Sequence, residues 1–165
     1  MFPIAFLAAN AATTRIVRSL FDDTFSGIHQ LGWFDWVRKA MAFQPRAIDQ
    51  LRAVALALVR LHRDDPSAFS VSRLMRDLSR IPDGSDVVRD HMRAWVGLLA
   101  GLISQAQADG DLPGDIDAAD LAAVMVAATD GLKDLGALID TPARARWAFA
   151  RRMDVLVRVV DALRA

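Results

Sequence analysis

The sequence predicts an all-α fold, a single-domain bundle of about seven helices. Three observations carry this. Apolar residues recur at three and four residues, as in Leu121, Val124, Met125, Ala128, Leu132 and Leu135, and no stretch alternates with period two for long enough to form a strand. Turn-forming residues sit at the joints between the periodic stretches: Gly32, Pro45, Pro66, Pro82-Asp83-Gly84, Gly110, Pro113-Gly114 and Pro142. The length, 165 residues, fits one domain, and a hydrophobic content of 53% is ample for one core.

Taken in order, Met1 to Ala9 is apolar but lacks the basic start of a secretion signal. Residues 1–12 are therefore expected to be an arm tucked into the core or the remnant of a truncated domain, and residues 13–165 the helical domain. Thr13 or Thr14 can cap a helix to about Gln30, with Phe21, Phe25 and Ile28 on its apolar face. Gly32 breaks it, and the aromatic stretch Trp33-Phe34-Asp35-Trp36-Val37 follows, ending near Met41 and Phe43. Rings are costly to leave in water, so this stretch is either a core plug under a bent connection or the wall of a pocket. Pro45 fits the first turn of a helix to about Arg63, striped by Ile48, Leu51, Val54, Leu58, Val59 and His62. Asp64-Asp65-Pro66 stops it and starts another to about Arg80, with Phe69, Leu74, Met75 and Leu78 inward.

Pro82-Asp83-Gly84 is expected to be a turn and Ser85 the cap of a long helix to Ala108, lined by Met92, Trp95, Leu99 and Ile103. An acidic turn leads to Asp117, an N-cap with Asp120 three residues on. The helix that follows is broad in apolar surface and rich in Ala and Gly, which lets another helix approach closely. Thr141-Pro142 opens a last helix whose seam runs through Phe149, Met153, Leu156, Val157, Val160 and Leu163.

Composition narrows the chemistry. Twenty basic and twenty acidic residues cancel, which argues against a general electrostatic nucleic-acid binder. There is no cysteine, so disulfides, Cys-ligated zinc and thiol catalysis are excluded. The longest apolar run, Ala94 to Ile103, is about half a membrane span. The acidic turn mimics a calcium loop: Asp109, Asp111, Gly114, Asp115, Asp117 and Asp120 fall at the right offsets. Pro113 offers no side-chain oxygen at the fifth position, however, and Asp120 is a methylene shorter than the usual Glu. The three histidines, His29, His62 and His91, lie on three separate helices and share no metal-ligand spacing. No nucleophile elbow, phosphate loop or paired-carboxylate motif is present, so no enzyme, metal or cofactor is expected. Arg144, Arg151 and Arg158, spaced by seven, read first as a solvated face.

Two stretches carry a resemblance. One is Gln105-Ala106-Gln107-Ala108-Asp109-Gly110-Asp111-Leu112, followed by the Asp117-x-x-x-Leu121 helix start and Asp130-Gly131-Leu132; the other is the phrase LVRLHRDDPSAF from Leu58 to Phe69. Together they resemble the C-terminal region of TetR-family transcriptional regulators, best from Pro45 onward. The resemblance implies a cytoplasmic bacterial repressor whose last two long helices pair with those of a second subunit. On this chain that places Leu121, Val124, Ala128, Gly131, Leu135, Phe149, Met153, Leu156 and Val160 at a homodimer interface. The preceding helices would surround a small apolar or aromatic effector. Candidate contacts are Phe25, Trp33 and Trp36; Val59 and His62; Phe69 and Met75; His91, Met92 and Trp95; and Met125. The family's amino-terminal helix-turn-helix has no counterpart, so this chain is expected to be truncated or naturally reduced and not to bind DNA as it stands. The alternative is a stand-alone helical small-molecule-binding protein.

Overall fold

A computed structural model describes residues 33–65 and 67–162. The arm over residues 1–12, the helix expected from Thr13 to Gln30, and Phe25 and His29 lie outside the described residues. Among the described residues there are six helices and no strand: α1 Trp33–Met41, α2 Ala47–Asp64, α3 Ala68–Leu78, α4 Pro82–Ala108, α5 Ala118–Ile139 and α6 Pro142–Asp161.

The aromatic stretch is a helix rather than a bent connection. Val37 is its buried anchor, while Phe43, just past its end, is 86% exposed and plugs nothing. The basic residues Arg38 and Lys39 in its last turn suit the negative end of the helix dipole. Pro45 lies two residues before the first residue of α2, Ala47, and the N-cap is Arg46. The amide of the Gln50 side chain donates to the Gln44 carbonyl at 2.9 Å, which secures the entry to the helix. Between α2 and α3 the Asp65 carboxylate accepts from the Ser67 amide at 2.8 Å and its hydroxyl at 2.7 Å.

The largest difference from expectation is at α4. Pro82 opens the helix after an extended Ile81, so the Pro-Asp-Gly stretch is its first turn and Ser85 is not a cap. Pro is pre-set for that position. Gly84 serves another purpose: a β-carbon on it would lie 2.6 Å from the Leu78 carbonyl oxygen, so the glycine is what lets α4 cross close to the end of α3.

At its other end α4 closes through a Schellman motif. Gly110 adopts φ 78°, the Asp111 amide donates to the Ala106 carbonyl at 2.8 Å, and the Gly110 amide to Gln107 at 3.1 Å. The Gln107 side chain then reaches across the turn and donates to the carbonyls of Pro113 and Ile116, each at 2.7 Å. Asp117 caps α5 as expected, accepting from the amides of Ala119 and Asp120 at 2.9 Å.

The core forms where α1, α2, α4 and α5 meet. Val37, Ile48, Leu51, Val54, Trp95, Leu99, Ile103, Leu112 and Ala122 are its buried members. α6 lies along α2 and α5. It approaches α5 closely where Gly136 faces Ala145. A smaller cluster around Leu78, with Met75, Ile81 and Val88, joins α3 to α4.

Candidate functional site

An apolar groove opens between α2 and α6. Ile48, Leu51, Val54, Ala55 and Leu58 come from α2, and Met153, Leu156, Val157 and Val160 from α6; Leu99, Met125 and Thr129 close it from α4 and α5. Its volume, about 40 Å³, holds a few water-sized groups. Two methionines line it, and their unbranched thioether chains can re-pack around a guest. The Thr129 hydroxyl is turned away into its own helix, donating to the Met125 carbonyl at 2.8 Å.

Polar chemistry enters the groove at one end. Arg52 on α2 donates to Asp161 Oδ1 on α6 through Nε at 3.0 Å and Nη2 at 2.5 Å, and its Nη1 lies 3.7 Å from Asp49. Both side chains are about one-third exposed. Sequence spacing gave no signal for the long-range pair, since its residues lie 109 apart.

The expected ligand contacts separate into distinct places. Met125 lines the groove. His62 is fully buried in a cluster of three rings, edge-on to Phe69 at 5.1 Å and tilted against Phe149 at 4.8 Å. Its Nδ1 donates to the Leu58 carbonyl at 2.9 Å. Burial pulls its pKa from the usual 6.5 down to about 4, against the opposing pull of that hydrogen bond, so the ring is neutral at pH 7. This makes His62 a packed aromatic rather than an exposed base. His91 accepts from the buried Trp95 indole N–H at 3.1 Å, one turn along α4. Met75 belongs to the α3–α4 cluster, and Val59 and Met92 are half-buried. Trp33 and Trp36 sit on α1.

The residues expected at a dimer seam also divide. Phe149 and Met153 are buried within the chain, and Met153, Leu156 and Val160 line the groove. Val124, Gly131 and Leu135 are exposed, with Leu121 and Ala128 half-buried. Other apolar side chains are exposed beside these: Leu138 at 83%, Trp147 at 64%, and also Ile139, Val155 and Val159. The apolar seam of α6 therefore has two sides, an inner one through Phe149 and Met153 and an outer one through Trp147 and Val155.

The acidic turn is occupied by its own structural work. Asp111 pairs with Arg46, and Asp117 caps α5. Among the described residues no group of three His, Asp or Glu could hold a metal ion. No described helix is long and apolar enough to cross a membrane.

The described residues thus form a helical bundle with an apolar groove between α2 and α6 and with apolar side chains turned outward on α5 and α6. Residues 79–151 match the family model of the tetracyclin repressor-like C-terminal domain. That stretch takes in α4, α5 and the first half of α6, and over it the resemblance to the TetR-family C-terminal domain holds. No curated protein and no solved structure matches the chain significantly.

Proposed function

We propose that this chain is the effector-sensing and dimerisation region of a TetR-type transcriptional regulator, acting in the cytoplasm as a homodimer and binding a small apolar molecule. The observation that carries the reading is a coincidence of place. The two helices that the family match reaches after α4, the second as far as residue 151, are the ones that turn Val124, Leu135, Leu138, Trp147 and, beyond the match, Val155 to solvent. Exposed apolar side chains gathered on one pair of helices favour a binding face, and a second copy of the chain is the occupant proposed for it. The groove between α2 and α6 is lined on α6 by Met153, Leu156, Val157 and Val160, on the same helix that carries Trp147 and Val155. A ligand widening it would shift α6, and with it the spacing of two subunits, by favouring one of two arrangements.

The test is the oligomeric state. The double variant Leu138→Arg, Val155→Arg changes only exposed positions, so the fold should survive. Sedimentation velocity is expected to show a dimer for the parent chain and a monomer for the variant. A parent that is monomeric at tens of micromolar would remove the dimer from this reading.

A further inference from the structure

The geometry points to a specific ligand class for the α2–α6 groove: we propose that it takes an apolar molecule ending in a carboxylate, which binds Arg52 in place of Asp161. This rests on the reading of the groove as a ligand site and adds the chemistry of its polar end.

Three features support the exchange. Among the described residues Arg52 is the only cation lining the groove. Its Nε and Nη2 both converge on a single oxygen of Asp161. A guanidinium pairs best when two parallel N–H groups meet the two oxygens of one carboxylate, and that arrangement is not used here. Asp161 is also poorly placed for a negative charge. It is the last residue of α6, where the outward-facing carbonyls already carry partial negative charge that disfavours an acidic side chain. A carboxylate borne on a free chain has neither constraint. Its tail would lie along Leu51, Leu58, Leu156 and Val160, with Met125 and Met153 moving to make room. Asp161, about one-third exposed, would turn outward into water.

Breaking the Arg52–Asp161 pair would also untie α2 from α6. The ligand's charge, and not only its bulk, would thus act on the helix that carries Trp147 and Val155.

Calorimetric titration of the whole chain with octanoate, octanol and octylammonium tests this. Octanoate is expected to bind most tightly, by roughly tenfold over octanol, the scale of a charge-assisted pair. Arg52→Met should abolish that preference while leaving octanol binding within about twofold. Asp161→Asn removes the internal competitor and should tighten octanoate, a gain that a misfolded variant could not produce. Equal binding of octanoate and octanol would overturn the carboxylate proposal and leave the apolar groove standing. A preference for octylammonium would overturn it in favour of the Asp49–Asp161 side. Failure of all three to bind would remove the groove as a ligand site.

Discussion

The carboxylate of Asp111, in the turn between α4 and α5, is met by the guanidinium of Arg46 at the head of α2. Asp111 is buried and Arg46 is half-exposed, and the second oxygen of Asp111 has no hydrogen-bond partner among the described residues. A buried carboxylate with one of its two oxygens unserved depends heavily on the partner that remains. Arg46→Met is therefore expected to cost about 2 kcal/mol, chiefly by leaving that charge uncompensated. Arg46→Met combined with Asp111→Asn should recover part of the loss. Urea denaturation of the two single variants and the double gives the coupling. Additive losses would mean that the pair contributes nothing as a pair.

His62 makes stability depend on pH with a defined sign. Its folded pKa is about 4 and its unfolded value 6.5, so between these the unfolded chain binds more protons. The stabilisation is complete above pH 6.5 and is lost as the pH falls towards 4. The loss is on the order of 3 kcal/mol, from the size of the shift. His62→Phe keeps a ring between Phe69 and Phe149 and removes the titrating group. The difference in unfolding free energy between pH 7 and pH 4.5 should shrink in that variant, and an unchanged difference would assign the slope to other groups.

Two glycines should respond to alanine in opposite ways. At Gly84 the added carbon meets the Leu78 carbonyl, and because backbone must move, a loss of about 1–3 kcal/mol is expected. At Gly131 a β-carbon meets nothing within 4 Å, so helix propensity alone acts and Gly131→Ala should stabilise an isolated subunit by up to about 1 kcal/mol. If the same substitution weakens self-association in sedimentation, a partner helix lies against Gly131. Thermal melts at low and high protein concentration separate the two effects.

Trp95 is a core residue with its indole N–H satisfied by His91. Trp95→Ala should cost about 3–5 kcal/mol, as for other large core truncations. A much smaller loss in chemical denaturation would instead place Trp95 on the wall of an adaptable cavity.

Much of the bundle was legible because helical periodicity and capping act over a few residues. Asp117 with its apolar run, Thr141-Pro142, and Gly110 as a helix terminator all announce themselves locally. Where the expectation failed, the deciding contact was tertiary. Pro82-Asp83-Gly84 has turn composition, yet the approach of Leu78 makes Gly84 a packing residue inside α4. His62 reads in sequence as a polar residue on an apolar stripe, and its packing against Phe69 and Phe149, which come from other helices, leaves no trace in spacing. The seam from Phe149 to Val160 was visible as apolar, whereas its division into inner and outer sides depends on where α2 and α5 lie. The groove's charged end, Arg52 with Asp161, leaves no trace in sequence spacing.

The turn joining α4 to α5 bears on the order in which the chain folds. Nine residues, 109–117, separate the two helices, and closing so short a loop costs little chain entropy. The Gly110 cap, the Gln107 bridge and the Asp117 cap all form between residues 106 and 120, without help from distant segments. The Arg52–Asp161 pair must instead bring together residues 109 apart. Local contacts form early and distant ones late, so the α4–α5 hairpin should be the seed onto which α2 and α6 condense. The groove is then the last part of the molecule to be assembled, and it should be the first to open when the native state fluctuates. Kinetic analysis would show this as Gln107→Ala slowing refolding while Arg52→Met mainly speeds unfolding; the reverse pattern would place the seed at α2 and α6.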